Sequence, residues 1–388
     1  MAQRQFASGD TSTWAEKYGN GSDSALTISS DTTEAPIDSS CSGTGGTTSL
    51  SATNASFAAN QTILIHQARG TGVGAWELNV ISSYTAGTIT TKYDLINTYT
   101  DSGASQAQVR VLPQYSGVTI DSSKTYTAKA WDGNVGGILA FLCNGTTTIT
   151  GTIVTTGKGF VGGNAGVTNQ TAHSGNYGEG TTGSSGNSSS TAANGNGGGG
   201  GYVDTANNNG GGGAGGGNGA TGDAGVAEGA GHGGIGGGSA GTSNLSTVVF
   251  GGGGGGGVWY YDQERANGAG SAGGGIVLIV SKTLTVTGSI VATGNAGADA
   301  SGGAGGGGAG GSILLKGQVL TLGSTLITAT GGAKGNCTGG AASHGGAGSD
   351  GRIHADYLTS ISGTTNPTLD STQDNTLATD AGGFFAFL

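Results

Sequence analysis

The chain has 388 residues, of which 88 are glycine and 9% are charged, with a net charge of −10; an ordinary globular protein carries about 7% glycine and about 25% charged residues. Glycine does not recur at every third position and there are three prolines, which excludes collagen. The negative balance comes from scarce Lys and Arg and not from an acidic block, so no attraction for nucleic acid or an anionic membrane is expected.

In chain order, residues 1–56 read as a Ser/Thr-rich lead-in or attachment segment, with one alternating strand at Ala25-Leu26-Thr27-Ile28. Residues 57–130 carry short β-branched runs, among them Ile63-Leu64-Ile65, Trp76 to Ile81 and Val109 to Leu112, separated by Gly, Asn, Asp and Ser turn signals. That spacing predicts a small antiparallel β-barrel or sandwich.

From residue 131 onward an internal repeat appears. Gly136 to Leu142 followed by Thr148 to Gly157 returns as Gly274 to Val280 with Leu284 to Gly294, again as Gly311 to Leu315 with Leu320 to Gly331, and more weakly as Gly351 to Ala355 with Leu358 to Gly363. The leading Ile138, Ile276, Ile313 and Ile353 are spaced by 138, 37 and 40 residues. A period near 40 with two or three short strands per unit predicts β-solenoid rungs over 131–161 and 276–363. In that reading Ile, Leu and Val fill a narrow core, Thr and Ser form the outer face, and Gly makes the corners. The long first interval is an insertion, 162–275, that holds half of the glycines. Such a segment has no apolar side chains with which to build a core and loses the most chain entropy on ordering. It orders only if backbone amides pair between neighbouring extended segments, as in polyglycine II. Shorter tracts at Gly302–Gly311 and Gly339–Gly348 are then expected in a second layer beside the rungs. Residues 364–388 form a C-terminal tail.

The expected class is therefore all-β: an N-terminal barrel or sandwich, then a short β-solenoid with a large glycine-rich insertion. The stretches "YGNGSDSALTISSDTT" from Tyr18, "ILIHQARGTGVGAWELNVISS", "GTIVTTGKGFVGG" and "GSIVATGNAG" resemble glycine-rich bacteriophage tail-fibre and tail-tip proteins and bacterial surface proteins of the same repeat grammar. The glycine tracts also resemble T-even-type phage adhesins, in which polyglycine helices pack in a lattice and the loops at its tip contact the host receptor. The resemblance implies an adhesive, structural role, with a host cell-surface glycan or protein, or further copies of the chain, as partner. It also implies a place in the virion or outside the cell. Residues 1–14 show no Sec signal, which fits release by lysis or prior removal of such a signal, and no apolar stretch is long enough for a membrane span.

No cofactor, metal or enzymatic activity is expected. Cys41, Cys143 and Cys337 form no CxxC pair, and the five histidines show no HExxH spacing. His66 reads as a strand residue, and His354 beside Asp356 as a satisfied surface pair. Carboxylates paired on adjacent rungs, which a solenoid glycosidase would need, are missing from the pattern. Trp259, Tyr260, Tyr261 and Arg265 break the longest glycine run and are the first candidates for receptor contact; the alternative is that Trp259 and Tyr260 cap the glycine lattice. Tyr177, Tyr202 and His173, on other turns of the insertion, could share that surface. Phe384, Phe385, Phe387 and Leu388 make an apolar chain end suited to docking on a neighbouring subunit or to packing on the last rung. The first arrangement would make the chain a self-assembling filament or sheath subunit.

Overall fold

A computed structural model describes residues 17–166, 174–184, 191–203, 209–229, 232–259, 265–339 and 342–378. The described chain is all-β apart from a short 3-10 turn at Asn375–Leu377. It starts with β1 (Ala25–Ile28) and β2 (Thr32–Thr33), then lays down β3 (Asp38–Ser40), β4 (Ser42–Gly43), β5 (Ser49–Ser51), β6 (Thr62–Arg69), β7 (Trp76–Thr85), β8 (Thr88–Thr91) and β9 (Gln106–Val111). There follow β10 (Gln114–Tyr115), β11 (Gly117–Ile120), β12 (Thr125–Thr127), β13 (Ile138–Ile149) and β14 (Thr152–Val154). Beyond the insertion come β15 (Ile276–Val286), β16 (Ser289–Val291), β17 (Ser312–Thr328), β18 (Arg352–Asn366) and β19 (Asp370–Gln373).

Strands β3 to β9 form one antiparallel sheet in the order β3-β9-β6-β7-β8-β5-β4. All the others belong to a parallel sheet that folds back on itself. One ladder stacks β1, β11, β13, β15, the first half of β17 and the first half of β18; the other stacks β2, β12, β14, β16 and the second half of β17. The pairing follows different boundaries from those read in the sequence: β1 and β2 of the 1–56 segment and β11 and β12 of the 57–130 segment join the parallel sheet, while β3 to β5 join the antiparallel one. The corners between the two ladders are tight. A Cβ on Gly288 would lie closer than 3.0 Å to the Gly151 carbonyl oxygen of the preceding corner, so glycine lets successive corners stack.

The register departs from the sequence repeat by one residue. Ile138 pairs with Ile276, but Ile276 pairs with Ser312, and Ile313 stands beside Val277. A one-residue slip moves a side chain to the other face, so the column that enters the core between the two ladders is Leu139, Val277, Ile313 and Ile353. With Phe141, Ile279, Leu315, Ile153, Ile290 and Ile327 they make one apolar core.

The opposite face of β13 and β15 is buried as well, and is not the Thr/Ser face expected from the repeat. Ile138, Ala140, Leu142, Ile276, Leu278 and Val280 pack against Leu64, Trp76 and Leu78 of the antiparallel sheet and against Trp131, Phe160, Val248 and Phe250. A parallel sheet covered on both sides reads as a continuous apolar run, which is what Ile138 to Cys143 and Ile276 to Val280 are. Arg110 of β9 crosses the same interface, paired with buried Glu34 and donating to the Ile138 carbonyl. The antiparallel sheet has its own core around Leu50, Ile63, Ile65, Ile81, Ile89 and Val109. Among the described residues no helix is long and apolar enough to cross a membrane.

Candidate functional site

The glycine-rich segments leave the parallel sheet as extended chains running out and back. Residues 251–258 show the rule that organises them. Gly251, Gly254 and Gly257 donate to Gly274, Ser271 and Gly268; Gly252, Gly255 and Val258 donate to Gly217, Ala214 and Gly211; Gly253 and Gly256 donate to Glu179 and Asn176. Successive amides thus point to three different neighbours with a period of three residues. The carbonyls accept from three more: Gly163 and Gly166, Gly198 and Gly201, and Gly306 and Ala309 donate to this segment. Residues 210–218 and 303–311 are likewise each surrounded by six segments, and these three inner segments are mutual neighbours.

This arrangement explains the composition. A Cβ on Gly252, Gly253, Gly254, Gly255 or Gly256 would lie closer than 3.0 Å to a carbonyl oxygen of an adjoining segment, so an inner segment has almost no side on which a side chain fits. An outer segment needs glycine only where it faces inward. Gly222-Asp223-Ala224-Gly225, Gly294-Asn295-Ala296-Gly297 and Gly332-Ala333-Lys334-Gly335 keep glycine at every third position and expose the two residues between. The tract at 303–311 lies at the centre of the bundle, hydrogen-bonded to both 210–218 and 251–258.

The consequence is that several described segment ends lie together. Ser174, Tyr202 and His232 meet there through backbone bridges, with the Tyr202 and His232 rings 5.8 Å apart. Gly211 bridges to Val258 alongside them, and Trp259 follows directly. Trp259 is only 6% exposed, its indole set against Gly210 and its Cβ against Gly302, the ring covered by the Arg265 guanidinium at 4.6 Å, a cation–π geometry. Beyond it, Ser301 accepts from the Ala266 amide at 2.9 Å. Cys337 pairs with Ala300, and its amide donates to His344 Nδ1 at 3.0 Å.

The structure therefore brings Trp259, Arg265 and Tyr202 to the same end. Tyr177 stands part-way along its segment, next to Asn176, whose carbonyl accepts from Gly256. His173, Tyr260 and Tyr261 lie outside the described residues, as do Phe384, Phe385, Phe387 and Leu388. Trp259 is buried, while Tyr202 is 37% exposed and His232 beside it is exposed as well. His232 and His344 were not singled out in the sequence; the signal available for both was their place at a break between two glycine tracts. Chemically, this end offers an exposed phenol, imidazoles and a guanidinium on a rigid backbone platform. Such groups suit stacking and hydrogen bonding to a ligand.

No known protein-family model matches the sequence, and no curated protein matches it. Among solved structures, the Gp54 tailspike of Acinetobacter baumannii bacteriophage AP22, in complex with A. baumannii capsular saccharide, overlays with a TM-score of 0.20 and 9% sequence identity. The overlay covers 90% of this chain and 62% of the tailspike chain. A TM-score that low carries no functional argument, which rests on the site itself.

Proposed function

We propose that the chain is a structural, adhesive protein of a bacteriophage tail fibre or tail tip. It acts by binding and not by catalysis, and it recognises a host-surface glycan or protein through the far end of its glycine bundle. In this reading the folded-back parallel sheet is a short β-solenoid that anchors the bundle, and the bundle is a polyglycine II lattice. The observation that carries it is the period-three hydrogen bonding. It fixes the described segment ends that carry Tyr202, His232, Trp259 and Arg265 beside one another, which lowers the ordering cost of binding there. Tyr202 and Arg265 are the proposed contacts, with Trp259 as the platform beneath Arg265.

The test is binding of the fluorescently labelled chain to a panel of bacterial cells, followed by the Tyr202→Ala and Arg265→Ala variants on the strain that binds. At least a tenfold loss with unchanged circular dichroism is expected. Binding to no strain, or undiminished binding by both folded variants, would refute the reading.

A further inference from the structure

At the other end of the glycine bundle, where it meets β18, an open cleft of about 270 Å³ is lined by the Gly219–Ala220 turn, Ser243, Arg352 at the start of β18, Pro367 and Asp370. Two of its side chains are fixed from behind. Arg352 donates from Nε to the Ala240 carbonyl at 3.0 Å and from Nη2 to the Asn218 carbonyl at 3.4 Å. Among the described residues its Nη1 has no acceptor. Asp370 is 45% exposed and accepts at Oδ2 from His354 Nδ1 at 3.1 Å, and among the described residues its Oδ1 is unused.

His354 is 1% exposed, and its other nitrogen donates to Asp356 Oδ1 at 3.0 Å. Asp356 in turn pairs with Lys316 on β17. Both ring nitrogens face carboxylate oxygens. A chain of polar contacts, Lys316, Asp356, His354 and Asp370, thus runs from the sheet interior to the cleft. Burial pushes the Asp356 carboxyl up, but the hydrogen bond from His354 and the Lys316 charge outweigh it and hold it below its ordinary value. As a stability device the arrangement is weak: taking these groups out of water costs as much as their attraction returns, and an exposed pair adds little. What it does secure is the position of the Asp370 carboxylate.

We propose that this cleft binds a neutral sugar residue, with Asp370 Oδ1 accepting from one hydroxyl and Arg352 Nη1 donating to its neighbour. A vicinal diol both donates and accepts, so it satisfies a carboxylate and a guanidinium side by side. An anion would meet Asp350 and Asp370, both lining the cleft, and a cation would meet Arg352. Pro367 and Ile353 provide an apolar wall for the C–H face of the ring. The volume lies just below the roughly 300–1,000 Å³ of pockets for drug-sized ligands, a size for one ring. The proposal is independent of the receptor reading at the far end.

The experiment is saturation-transfer NMR on the full chain with the methyl glycosides of glucose, galactose, mannose and N-acetylglucosamine, and with methyl sialoside as the anionic control. Transfer to at least one neutral glycoside is expected, weakened at least tenfold in D370N and in R352Q, with folding checked by circular dichroism. Two independent variants guard against one failing to fold. Absence of transfer to all four neutral glycosides, equal transfer in folded D370N and R352Q, or preference for the sialoside would overturn it.

Discussion

Arg69, the last residue of β6, is ion-paired with Glu179, a buried carboxylate on the second glycine segment. Glu179 also accepts from Trp131 Nε1 at 2.9 Å and from the Val161 amide at 3.1 Å. The pair joins the antiparallel sheet to the glycine bundle. Burial pushes the Glu179 carboxyl above its usual range, and these donors only partly draw it back.

Removing the cation alone leaves that carboxylate buried without a counter-charge. Arg69→Met is therefore expected to cost about 3–5 kcal/mol, while Arg69→Met combined with Glu179→Gln recovers most of the loss. Chemical denaturation of both singles and the double closes the cycle. Strictly additive losses would show that the two residues act separately.

Space, and not backbone conformation, makes glycine necessary inside the bundle. Gly254 has no positive φ, yet a methyl group there would overlap the Gly306 carbonyl oxygen. Gly183 also lacks a positive φ, and the nearest atom to its Cβ position is 3.7 Å away. Gly254→Ala is expected to destabilise by about 3 kcal/mol or more, as overpacking does, and Gly183→Ala to change stability by less than about 1 kcal/mol. Thermal unfolding of the two variants distinguishes them; equal midpoints would mean that the segments part without cost.

The repeat itself yields a test. Its alignment by leading isoleucines suggests that Ser312 precedes the core column, whereas in the sheet Ser312 occupies the place of Ile276. There it is fully buried, donates to the Val249 carbonyl at 2.7 Å and lies 3.5 Å from Asn218 Nδ2. Ser312→Ile brings the position into line with Ile138 and Ile276. Even so, it is expected to lower stability by about 1–3 kcal/mol, because the Val249 carbonyl loses its partner in a dry site. An increase in the unfolding midpoint would contradict this.

These cases mark how far the sequence was legible. The strands of β13, β15, β17 and β18 stood out because apolar residues there recur at one period, and the glycine tracts stood out by composition. The slip of one residue between Ile276 and Ile313 was not visible, because β15 is apolar on both faces and either alignment keeps hydrophobic residues opposite one another. Thr32–Thr33 could not be assigned to the parallel sheet, since its partner Tyr126–Thr127 is remote in sequence and neither dipeptide carries a pattern. At the far end, Trp259 was legible as an interruption in glycine. That Tyr202 meets His232 follows only from the lattice, in which neighbours are set by three-dimensional packing and not by any local spacing.

A last consequence concerns acid. His66, 1% exposed on β6, faces the Val248 carbonyl through Nε2 at 2.9 Å and packs edge-on to Phe250, with ring centroids 5.5 Å apart. A carbonyl only accepts, so Nε2 carries the hydrogen, and Nδ1 is left buried without a partner. Protonating Nδ1 would place an unpaired charge between the antiparallel sheet and the segment that leads into the central glycine run. Burial accordingly lowers the His66 pKa from 6.5 to about 4, against a smaller opposing effect of the Val248 carbonyl. Between those values the unfolded chain binds a proton that the folded chain refuses. Stability from this residue is thus full above pH 6.5, falls as the pH drops towards 4, and changes no further below that, a loss of up to about 3 kcal/mol. Denaturant midpoints measured from pH 7 to pH 4 should decline, and His66→Gln, which keeps a donor but cannot take up the proton, should flatten the decline over that interval. An identical slope in the variant would assign the acid sensitivity to other groups.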